Sequence, residues 1–142
     1  MDVCGGENDV GNGLTLDETL SSFTKLLNLM QRMHCHHLIF PCPKFEPWLN
    51  DSPKSCKLYV KLSDSMRKAS EKHPNKNMIW FIDCLMMFCG ETGNLPGPNL
   101  GGLAQDNPQY FANNQLHLSK LGYMIWKQKV KKCIESIMCQ TD

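Results

Sequence analysis

The chain has 142 residues, 42% hydrophobic and 20% charged, with 15 Lys+Arg against 14 Asp+Glu. That length suits one domain spanning residues 1–142, and the usage is that of an ordinary globular protein. A net charge of +1 excludes a polybasic nucleic-acid arm and an acidic disordered tail, and no apolar run approaches the ~18 residues of a membrane span.

Residues 1–4 form a short apolar segment, expected as a strand, ahead of Gly5-Gly6. They carry no charged n-region or apolar h-region, so no secretory signal is visible and an intracellular location is expected. Thr15-Leu16-Asp17-Glu18 is a capping box, in which Thr15 accepts from the Glu18 backbone while Glu18 reaches back. Leu20, Phe23, Leu26, Leu27, Met30 and Met33 follow at helical spacing and predict a helix over 16–33. His37-Leu38-Ile39-Phe40 is too short for a helix and is stopped by Pro41-Cys42-Pro43, so it reads as a buried strand.

A loop over 44–51 leads to Ser52-Pro53, an N-cap and first helical position. Leu58, Leu62, Met66 and Ala69 then mark the apolar stripe of a second long helix. The near-continuous run Met78-Ile79-Trp80-Phe81-Ile82-Asp83 reads as a strand buried on both faces of a parallel sheet. Residues 90–109 are rich in Gly, Pro and Asn and read as a long loop. The last helix starts from Ser119 as N-cap, with Leu118, Leu121, Ile125, Cys133, Ile134 and Ile137 as its apolar face and four lysines mostly off it. Strand and helix alternate, which predicts an α/β fold with a parallel sheet and helices on both faces. The loops over 5–13 and 84–117 would follow strand carboxyl ends, where such sheets carry their working residues.

Two short blocks carry candidate chemistry. Gly6-Glu7-Asn8-Asp9 combines a glycine that permits a sharp turn with an amide able to donate to an oxyanion. It also reads as an ordinary Gly/Asn/Asp turn. His117, in Asn114-Gln115-Leu116-His117-Leu118-Ser119-x-x-Gly122-Tyr123, lies just ahead of a helix N-cap. A histidine there is placed to act as a general base, or to serve the turn structurally.

In order and spacing these blocks resemble the SGNH (GDSL-type) hydrolases, along the whole chain. Gly6-Glu7-Asn8-Asp9 is similar to the family's third block. The run from Leu38 to Pro43 is similar to its next strand and proline turn, and Ile79 to Asp83 to its following strand. His117-Leu118-Ser119 with Gly122-Tyr123 is similar to its fifth block. The resemblance implies a three-layer α/β/α, flavodoxin-like, doubly wound parallel sheet. It implies carboxylic ester hydrolysis without metal or organic cofactor, by a serine that a histidine deprotonates and an aspartate orients. By that resemblance Asn8 is the oxyanion-hole donor and His117 the base, while Gly6 and Asp9 shape the supporting turn.

Two departures stand out. No serine sits in a Gly-Asp-Ser elbow; Ser63, Ser65 and Ser70 fall on a helix and Ser119 is a cap. The sheet is therefore expected to lack its first strands, leaving the strand at 1–4 with an open edge that favours self-association or pairing with another protein. The family's aspartate position holds Asn114, which cannot stabilise an imidazolium by charge; Asp106 lies eleven residues upstream of His117. The chain alone is thus expected to be inactive. Two functions stay open: a fragment of a serine esterase whose substrate is an ester, or a non-catalytic domain of this type that binds a protein or nucleic acid, a kind also carried by mobile elements.

Eight cysteines without a Cys-x-x-Cys spacing read as free thiols in a reducing compartment. His34-Cys35-His36-His37 offers metal-type ligands, but neighbours on an extended segment point to opposite faces, and no metal site is expected. The lysines of the last helix read as a solvated face.

Overall fold

In the computed structural model residues 6–33, 36–44, 46–88 and 108–139 are described. They are mixed α/β, mostly helical, with one two-stranded parallel sheet among the described residues. The strand expected at 1–4 and residues 90–107 of the loop expected over 90–109 lie outside the described residues, while Pro108–Tyr110 is a short 3-10 helix. The chain divides into two compact units, Met1–Pro43 with Leu58–Asp83, and Lys44–Lys57 with Cys84–Asp142.

The first unit begins with α1, Glu7–Gly11, where the sequence reads as loop. A five-residue helix has no periodic stripe to reveal it. The second helix, α2 (Leu16–Arg32), starts from Thr15 with a complete capping box. The Glu18 backbone donates to Thr15 Oγ1 at 3.3 Å, and the Thr15 backbone donates to the Glu18 carboxylate at 2.8 Å. Those Thr15 donors, backbone first and then hydroxyl, hold the Glu18 carboxyl below its ordinary range. A carboxyl lowered on folding stabilises above its unfolded range and loses that contribution as pH falls. Thr15→Ala is expected to cost about 1 kcal/mol, read as a lower urea midpoint with an unchanged slope. Phe23, Leu27 and Met30 turn inward from this helix, and buried Thr19 donates back to the Thr15 carbonyl at 3.1 Å.

Strand β1 (Leu38–Pro41) is buried throughout. It pairs in parallel with β2 (Ile79–Ile82), Leu38 opposite Ile79 through Pro41 opposite Ile82. Pro41, expected to stop the strand, is its last residue. A strand's terminal position tolerates a missing N–H, and the ladder continues beyond it, since the Cys42 backbone donates to the Ile82 carbonyl at 3.0 Å. Parallel strands need a long crossover, and α3 (Pro53–Lys72) supplies it, with Ser52 accepting the Cys56 N–H as expected of a cap.

On α3 and β2 the burial differs from expectation. The buried line of α3 is Cys56, Tyr59, Leu62, Ser63, Met66 and Ser70, while Leu58 and Ala69 are only half-buried. Serines can turn inward here because their hydroxyls are satisfied: Ser70 donates to the Met66 carbonyl at 2.9 Å and Ser63 to Cys42 Sγ at 3.2 Å. Strand β2 is buried only at Ile82. Ile79 and Phe81 instead line an open groove of about 400 Å³ with Arg67, Ser70, Glu71, Lys76 and Asn77. On the outer face of α3, Asp64 pairs with Lys68 at 2.6 Å and with Arg67. The Lys68 hydrogen bond leads in holding the Asp64 carboxyl below its usual range.

The second unit has its own buried residues: Leu49, Cys56, Cys84, Leu85, Phe88 and Phe111. Phe88 follows α4 (Cys84–Met87) and packs edge-on to Phe111 at 5.8 Å between ring centroids. Glu46 is buried, and its carboxylate accepts from Lys44 Nζ at 2.8 Å and from the Trp48 indole at 2.6 Å, so its charge is balanced where water is scarce.

The last helix, α5 (Lys120–Met138), starts from Ser119 as expected. Its inward face is the expected one in part, with Ile125, Cys133 and Ile137 on it. Leu121 and Ile134 are exposed; Gly122 is buried, and Ile125, Trp126, Val130, Cys133 and Ile137 are half-buried. The helix turns its glycine inward because its closest approach is to the Tyr110 carbonyl. Among the described residues no helix is long and apolar enough to cross a membrane.

Candidate functional site

The residues singled out in the sequence fall in both units. Gly6, Asn8 and Asp9 stand in the first; Asn114 and His117 stand in the second.

Gly6 is the N-cap of α1 and takes φ +103°, a left-handed backbone that favours glycine. It is also hemmed in: a Cβ there would meet Met66, Pro43 and Leu62 side chains at 3.1–3.3 Å. The glycine thus lets the chain turn against the carboxyl end of β1. Asn8 follows in the first turn of α1 rather than in an open loop, with its side chain exposed. Its carbonyl accepts from Asn12 at 2.8 Å, and that of Asp9 accepts from Leu14 at 2.9 Å.

Just after β1 and just after β2, the two strand ends place Cys42 and Asp83 together. Ser63 Oγ lies 3.2 Å and Asp83 Oδ1 3.9 Å from Cys42 Sγ. The sequence reading passed over this cluster. Its signal was positional: both residues directly follow strand carboxyl ends, the edge where parallel sheets do their work. Cys42 is only 1% exposed, which keeps it a packed thiol. Burial also pushes the Cys56 and Cys133 thiols above their usual range, with Lys129 opposing it at Cys133; neither has thiolate character to make it a nucleophile.

His117 is held by a small hairpin. Phe111 and Leu118 form an antiparallel bridge. The Ala112 N–H donates to the His117 carbonyl at 2.7 Å, and the Ser119 N–H donates to the Tyr110 carbonyl at 2.8 Å. Ser119 then serves both sides. Its hydroxyl donates to the Gln109 carbonyl at 2.7 Å and accepts the Gly122 N–H at 3.2 Å, which caps α5 and pins it to the hairpin.

At the hairpin tip Gln115 takes φ +58°, an uncommon conformation outside glycine. Asn114 stabilises that tip as an Asx turn. Its Oδ1 accepts from the Leu116 N–H at 3.1 Å and from the His117 N–H at 3.0 Å. Its Nδ2 lies 2.6 Å from His117 Nδ1. The imidazole is therefore oriented by the residue three positions before it, and both side chains are exposed.

His34, Cys35, Cys89 and Asp106 lie outside the described residues. Among those described, no group of three or more His, Cys, Asp or Glu is placed to hold a metal ion. No protein-family model, curated protein or solved structure matches this chain.

Proposed function

We propose that this chain is a domain of the SGNH ester-hydrolase type that contributes an oriented histidine, His117, and an oxyanion-hole amide, Asn8. The observation that carries the reading is the hairpin at 109–119. It holds His117 two residues ahead of the α5 N-cap, with ring Nδ1 at 2.6 Å from the side chain three residues earlier. The position is that of a triad histidine, although the partner is an amide and not a carboxylate. The parallel β1–α3–β2 arrangement and the positive-φ glycine ahead of Asn8 support it. In this reading β1–α3–β2 is one unit of a three-layer, doubly wound sheet, and a Gly-Asp-Ser serine has to come from sequence outside these residues.

The test is hydrolysis of p-nitrophenyl acetate by the chain, and by a form extended upstream through any Gly-Asp-Ser block of its gene. Turnover is expected only in the extended form. His117→Ala should lower it about 10²-fold or more, the usual worth of a general base. Extended-form turnover that ignores His117 would sink the reading.

One observation favours a non-catalytic domain instead, binding a protein or nucleic acid. The orienting residue is an amide, Asn114, where a triad has a carboxylate. Absence of His117-dependent turnover in both forms is the result this second reading expects.

A further inference from the structure

The geometry points to Asn114 as a positioning residue that sets the tautomer of His117. It biases the neutral ring toward protonation on Nε2, so the tautomer with a basic Nε2 is the minor one.

A neutral imidazole has one N–H and one nitrogen lone pair, and its partners decide which nitrogen is which. Asn114 Nδ2 lies 2.6 Å from His117 Nδ1. An amide nitrogen only donates, so Nδ1 must accept and the ring proton must sit on Nε2. The amide orientation is itself fixed. Its oxygen receives two backbone N–H groups, from Leu116 at 3.1 Å and His117 at 3.0 Å. Turning the amide over would point NH₂ hydrogens at both donors and give up both backbone hydrogen bonds, which favours the present orientation at this exposed tip. The two backbone donors thus choose the face of the amide, and the amide chooses the tautomer.

A carboxylate in the same place would behave otherwise. One oxygen would keep both backbone donors, and the other would accept from Nδ1–H, freeing the Nε2 lone pair. Asn114→Asp is therefore expected to reverse the tautomer without rebuilding the turn. The consequence for ester cleavage rests on the hydrolase-type reading above: a serine brought to this ring would find its proton acceptor only in the minor tautomer, so extended-form turnover is expected to be low. What Nε2–H does suit is an acceptor oxygen, whether carbonyl, carboxylate or phosphate.

The test is ¹⁵N NMR of the imidazole in the whole chain at about pH 8.5, where an imidazole is neutral. The ring nitrogen shifts and the scalar coupling across the hydrogen bond are both read. The wild type should show Nε2–H, with a coupling from an Asn114 Nδ2 hydrogen to Nδ1. Asn114→Asp should move the tautomer ratio about tenfold or more toward Nδ1–H, as a charge-assisted acceptor does. Its backbone amide spectrum would verify that the variant is folded. An Nδ1–H ring in the wild type, a missing coupling, or a folded Asn114→Asp variant still protonated on Nε2 would each overturn the proposal. The wild-type arm needs no variant. No readout involves ester turnover, so this result is separable from that of the esterase assay.

Discussion

Gly122→Ala is expected to destabilise the second unit by about 3 kcal/mol, and with it the turn that holds His117. The usual arithmetic has the opposite sign. Alanine inside a helix gains up to about 1 kcal/mol over glycine through propensity. At Gly122 the local geometry overrides this. A Cβ built there falls well inside van der Waals contact of the Tyr110 carbonyl oxygen and within 3.1 Å of the Leu118 side chain. The carbonyl cannot withdraw freely, because it accepts the Ser119 N–H at 2.8 Å. Relief requires α5 to move off residues 108–111, which breaks the Ser119 contacts on both sides. Urea denaturation should show the lower midpoint, and the His117 ring resonances should shift in the variant that remains folded. A variant more stable than wild type would mean that the close approach is not present in solution.

That glycine shows what a sequence displays and what it withholds. Gly122 was legible as part of a block following His117, but its reason was not. The reason is a backbone carbonyl twelve residues upstream, and no local pattern encodes that. The capping box at Thr15, the start of α3 after Ser52 and the cap at Ser119 were legible because they are local hydrogen-bond chemistry written within four residues. The apolar run of β1 was legible for a similar reason, as its burial leaves no polar position to interrupt it.

What was misread depended on partners distant in sequence. The inner line of α3 includes Ser63 and Ser70, residues whose hydroxyls find acceptors on Cys42 and Met66. A hydropathy stripe places serine outward and so rotates the helix. The inner line of α5 is set by the approach at Gly122, which carries Leu121 and Ile134 toward solvent. At the candidate site, the spacing of Asn114 and His117 was visible. The direction of the amide was not, since it depends on two backbone N–H groups that converge only once Gln115 adopts positive φ.

Phe40→Ala should have the largest effect in the first unit, a loss of about 3–5 kcal/mol. Phe40 is 1% exposed and sits in the middle of β1. Its ring meets Phe23 of α2 at 4.5 Å between centroids, and Phe81, its partner across the ladder, at 6.2 Å. One side chain therefore ties a helix and both strands together. Truncation loses the transfer energy of the ring and leaves a cavity that two strands and a helix cannot all close. Phe40→Leu keeps most of the volume and should cost less than about 1.5 kcal/mol. The comparison separates packing from any role of the strand backbone, which both variants share. A functional consequence follows from the chain's path. β1 runs directly into Cys42 and Pro43, and Pro43 is one of the side chains that a Cβ on Gly6 would meet. Loosening β1 should therefore loosen the turn that leads to Asn8, seen as faster amide hydrogen exchange over α1 in Phe40→Ala than in Phe40→Leu. Equal urea midpoints for the two variants would place the ring outside the structural core. Unequal midpoints with unchanged exchange over α1 would uncouple that core from the Asn8 turn.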